Sequence, residues 1–85
     1  MALMQSVKST INVFAVREGD IILDGIPALV TKALPLGYGE DNTDPYEITV
    51  FVIDGNGERY MIRRTGGTFV KIHWTDDEWD AYRMI

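Results

Sequence analysis

Eighty-five residues, 46% of them apolar and 25% charged, describe one small domain of ordinary globular composition with a thin core. No cysteine is present, which excludes disulfides, thiolate catalysis and Cys-ligated zinc and suits a reducing cytoplasm. A net charge of −5 opposes non-specific attraction to nucleic acid or anionic lipid.

Met1 to Lys8 lacks a basic start followed by a long apolar stretch, so no signal peptide is expected, and residues 1–9 read as a flexible or edge segment. Thr10 to Val16 is rich in β-branched and aromatic residues and predicts a strand. Arg17-Glu18-Gly19-Asp20 interrupts it before Ile21-Ile22-Leu23 resumes. Asp24-Gly25 predicts a turn into a further strand over Ala28 to Leu34, with Pro27 at its start. Residues 35–46 hold two prolines, two glycines and several acids and read as a long loop, a candidate functional element.

Glu47 to Thr65 predicts a hairpin about Asp54-Gly55-Asn56-Gly57. A two-residue type I′ turn at Asn56-Gly57 would set Ile53 opposite Tyr60, Val52 opposite Met61 and Val50 opposite Arg63. One face would then carry Phe51, Ile53, Tyr60 and Ile62. The other would carry Val50, Val52 and Met61 beside Arg63 and the Asp54/Arg59 pair. Two apolar faces require a second cover, from this chain or from a partner. Ile48 to Ile53, the longest nearly apolar run, is too short to cross a bilayer.

Gly66-Gly67 turns into a last strand from Thr68 to His73. The helix expected at 75–84 carries its own start signals. Thr75 and Glu78 have capping-box spacing, Trp74 and Trp79 that of a hydrophobic staple, and Asp76 and Asp77 complement the helix dipole. Trp79 and Tyr82 share an aromatic face that must pack on something.

No catalytic constellation emerges. Asp54 to Glu58 resembles the middle of a calcium loop, but Val52 and Arg63 fall where carboxylates are required, so a hairpin turn is the better reading. His73 is the only histidine, without co-ligands or a nucleophile partner in sequence. The acids at Asp76, Asp77, Glu78 and Asp80 serve the helix start, and Glu40, Asp41, Asp44 and Glu47 fall on or beside the loop. Arg64 to Thr68 lacks the length and lysine of a phosphate-binding loop. No metal or cofactor is expected, and the chain reads as a non-enzyme.

Val16 to Ile22, followed by Asp24-Gly25-Ile26-Pro27-Ala28-Leu29-Val30, resembles the opening of SH3-like small barrels, in which Gly-Asp enters one strand and Asp-Gly leads into the next. The resemblance spans about residues 10–73 and implies a closed antiparallel barrel. Ribosomal and elongation-factor members of that fold are basic, whereas this chain is acidic. Its size and lack of an enzyme signature are also similar to small accessory proteins of bacteriophages.

The sequence therefore predicts a mainly β, single-domain antiparallel barrel, SH3-like, or strongly bent sheet, of five or six strands with a C-terminal helix. Its expected role is a cytoplasmic protein-interaction module, binding a host component or self-associating, with Val50, Val52, Met61, Arg59, Arg63, Trp79 and Tyr82 as contact residues. The alternatives are a nucleic-acid-binding barrel using Arg59, Tyr60, Arg63, Arg64 and Lys71, and a structural subunit of a phage particle.

Overall fold

A computed structural model describes residues 7–34 and 47–83. The expectations for the first six residues and for the 35–46 loop lie outside the described residues. Six antiparallel strands form one sheet: β1 (Lys8–Asn12), β2 (Ile21–Asp24), β3 (Ile26–Leu34), β4 (Ile48–Asp54), β5 (Arg59–Arg64) and β6 (Thr68–Ile72). One helix, α1 (Asp76–Arg83), follows. The spatial order β1-β6-β2-β3-β4-β5 slots the last strand between the first two and leaves β1 and β5 at the edges. The sheet is thus curled but not closed, the strongly bent sheet of the two expected forms.

Curling puts the same face of every strand inside. Ile11, Phe69, Ile22, Val30, Val50 and Ile62, one from each strand, meet in the main core. The predicted strand over 10–16 stops at Asn12. Its side-chain Oδ1 accepts the Phe14 amide at 2.8 Å and starts a 3₁₀ turn over Val13–Ala15. The turn drops Val13 and Val16, both fully buried, into the mouth of the curl, where burial outweighs their β preference. A bulge in β3 between Val30 and Lys32 bends the sheet, and the Thr31 hydroxyl donates to the Phe51 carbonyl at 3.2 Å. Across the open seam, Arg64 of β5 pairs with Asp24 of β2 at 3.3 Å and lies over the Phe69 ring of β6.

The β4–β5 hairpin forms, but in a register one residue from the expected one. Ile53 faces Arg59, Val52 faces Tyr60, Phe51 faces Met61 and Val50 faces Ile62. The cause is Asp54. Its Oδ1 accepts the Asn56 and Glu58 amides at 2.8 and 3.0 Å, while its backbone N–H donates to the Glu58 carbonyl. Gly57 alone takes a positive φ, 83°, so the connection is a three-residue loop with a glycine bulge instead of a type I′ turn, which would need Asn56 left-handed as well. The faces are re-sorted as a result. Val50 and Val52 lie inside with Ile62 and Tyr60, and Phe51, Ile53 and Met61 lie outside.

The helix starts as the sequence predicts. The Thr75 amide donates to Glu78 Oε1 at 2.9 Å, and the Glu78 amide to Thr75 Oγ1 at 3.1 Å. The Trp74 and Trp79 rings sit 6.4 Å apart, with Tyr82 5.1 Å from Trp74. This aromatic face packs on Ile21, Leu23, Leu29 and Ile72, forming a second core on the outside of the curl. Among the described residues, no helix is long and apolar enough to cross a membrane.

Candidate interaction surface

The outer face of the sheet is covered unevenly. Helix α1 lies over β6, β2 and the first part of β3, and its last turn reaches the β4–β5 loop. There the Tyr82 ring rests against Gly55 so closely that a Cβ at that position would fall 2.6 Å from it. Beyond this contact the outer face of β4 and β5 has no cover among the described residues. Register places Lys32, Phe51 and Met61 in one row across β3, β4 and β5. The rows on either side run from Leu29 through Ile53 to Arg59 and from Leu34 through Thr49 to Arg63. Met61 is 51% exposed, and Phe51 and Ile53 are half-buried. A shallow hollow of about 270 Å³ opens between Thr31, Phe51, Arg59 and Met61.

This surface of an acidic molecule gathers three exposed cations. Arg64 pairs with Asp24, Lys71 with Asp20 and Arg83 with Asp80. Arg59, Arg63 and Lys32 are exposed and have no carboxylate within ion-pair distance among the described residues. Three cations therefore border an apolar row, none of them in an ion pair among the described residues.

The residues singled out from sequence separate into groups. Met61, Arg59 and Arg63 meet on the outer face. Val50 and Val52, 0% and 1% exposed, belong to the inner core, where their pairing with Ala33 and Val30 of β3 sets them, and lie off the outer face. Trp79 is buried and Tyr82 half-buried against this chain's own sheet. The expected nucleic-acid set does not form one surface. Tyr60 and Arg64 lie on the inner face, opposite Arg59 and Arg63, and Lys71 is tied to Asp20 at 3.1 Å on another strand. Burial, aided by the Asp24 and Asp54 carboxylates, raises the Tyr60 pKa above its usual 10.0.

Lys32 and Phe51 were not singled out as contact residues. Their place beside Met61 depends on the bulge at Thr31 and on the three-residue loop, and neither has a plain signature in the chain. Ser9 was missed as well. Its hydroxyl lies 2.7 Å from His73 Nε2 across the β1–β6 pair. Both side chains are exposed, and no carboxylate holds the other ring nitrogen among the described residues, so the contact ties two strands together without the orienting third group of a triad. Asp54 is buried and spends its carboxylate on the turn amides. No cluster of potential metal ligands occurs among the described residues.

Fold and surface together define a small, curled, single-sheet β domain that presents an apolar row bordered by exposed cations. No family model, curated protein or solved structure matches the chain.

Proposed function

We propose that the protein is a non-enzymatic interaction module that docks a protein partner on the outer face of β4 and β5. One observation carries this reading: α1 packs over β6, β2 and the start of β3 and reaches Gly55, and among the described residues nothing covers the Phe51–Met61 row between Arg59, Arg63 and Lys32. A central apolar row with an arginine border is the composition that interfaces favour. The lack of cysteine suits a reducing compartment, and we place the interaction in the cytoplasm.

The test is site-specific photo-crosslinking in the native host. A benzophenone side chain at Met61 is expected to yield discrete protein adducts, and one at Thr10, exposed on β1 at the other end of the strand order, none. Arg59→Glu with Arg63→Glu should cut the Met61 adducts at least tenfold while changing stability by no more than about 0.5 kcal/mol. Equal adducts at both positions, or adducts that nuclease removes, would overturn the reading, the second outcome in favour of nucleic acid.

A further inference from the structure

We infer that the partner binds as an extended acidic segment added along the free edge of β5, making a seventh strand of the sheet. The inference rests on the proposed interaction surface and names what that surface takes. Its first support is the backbone. Asp54 and Glu58 are a hydrogen-bonded pair, since the Asp54 N–H donates to the Glu58 carbonyl at 3.0 Å. Antiparallel ladders alternate bonded and non-bonded pairs, so Tyr60, Ile62 and Arg64 direct their backbone groups to β4. The N–H and C=O groups of Arg59, Met61 and Arg63 point away from it. Among the described residues no strand pairs with this edge.

The second support is the way the edge is guarded. Edge strands are commonly protected by proline, a bulge, very short length or charge. β5 is six residues long with no proline and an unbroken register, and only charge guards it. That charge has one sign. The residues whose backbone is free, Arg59, Met61 and Arg63, are also those whose side chains project on the outer face. An incoming strand would therefore meet a cation, an apolar side chain and a cation at every second position. The matching segment carries acid, apolar and acid at the same spacing.

The same pattern fits a second copy of this chain less well than an acidic strand. Antiparallel self-pairing centred on Met61 sets Arg59 opposite Arg63 twice. Centred on Ile62, it sets Met61 opposite Arg63 and leaves both arginines of the free edge without an acid. Parallel pairing in register stacks every arginine on itself. Like charges directly opposite destabilise a pair, and no self-pairing register supplies an acid to Arg59 or Arg63, so the edge favours an acidic strand.

The probe is a capped seven-residue peptide, Thr-Asp-Thr-Val-Thr-Asp-Thr, titrated into the full-length ¹⁵N-labelled protein at low salt. The expected result is saturable shifts centred on the Arg59, Met61 and Arg63 amides, with at least tenfold slower hydrogen exchange at those three. N-methylation of the peptide's alternate amides should abolish both effects, as should replacing its aspartates by lysine. Binding insensitive to N-methylation would overturn strand addition. So would no binding by the acidic peptide in a protein whose Met61 still crosslinks to a partner; either result leaves the interaction surface standing. A concentration-dependent dimer protecting the same three amides would overturn the acidic-strand assignment in favour of self-pairing. Loss of the Met61 crosslinks alone would instead remove the surface on which the inference rests.

Discussion

At the scale of single residues, two neighbours in the β4–β5 loop control most of what is distinctive here. Asp54 satisfies two loop amides with one carboxylate oxygen and so selects the three-residue loop. Gly55 is bare because the Tyr82 ring occupies the space a side chain would need. Gly55→Ala is expected to push that ring out of its stack with Trp74 and Trp79 and to cost about 1–3 kcal/mol. Near-ultraviolet circular dichroism and thermal melting would register the change. In a Tyr82→Ala background the same substitution should be nearly neutral, and an undiminished cost there would show that Tyr82 is not the cause. The turn itself was legible in Asp-Gly-Asn-Gly. Its type was not, because the choice between a two- and a three-residue loop rests on where the Asp54 carboxylate points. One residue of loop length set Val50 opposite Ile62 instead of Arg63 and Phe51 opposite Met61 instead of Ile62, so that Met61 shares its face with Phe51 and not with Val50 and Val52.

At the scale of elements, the helix and the first strand make an instructive contrast. Helix α1 is declared by local chemistry, since its box and its staple lie within six consecutive residues and both form. Thr75→Ala should remove one side of the box, costing about 1 kcal/mol. Because Trp79 sits one turn further on, its fluorescence should shift to the red as the turn frays, and unchanged stability and emission would argue that tertiary packing alone holds the helix. Strand β1 ends where local preference would have it continue, because Val13 and Val16 are worth more inside the curl than in a ladder. Preference of that kind is written in the chain, whereas the cavity that overrides it is made by other strands.

At the scale of the whole molecule, the mainly β class and the stapled helix were legible, and so was the need for a second cover. Which half of the outer face the helix takes was not, because that depends on strand order, and strand order here is not sequential. Placing β6 between β1 and β2 also dictates the order of events in folding. Ser9 and His73 meet across 64 residues of chain, whereas β4 and β5 meet across a three-residue loop. Closing the longer span costs roughly 4 kcal/mol of chain entropy before any contact rewards it. Pulse-labelled amides in β4 and β5 should accordingly become protected before those of β1, and the reverse sequence would contradict this account. A nascent chain leaving the ribosome can complete the β2–β5 meander early but must hold its β2 flank open until the final strand emerges. For that interval it offers two templates to passing polypeptides, of which only the arginine-bearing one is discriminating.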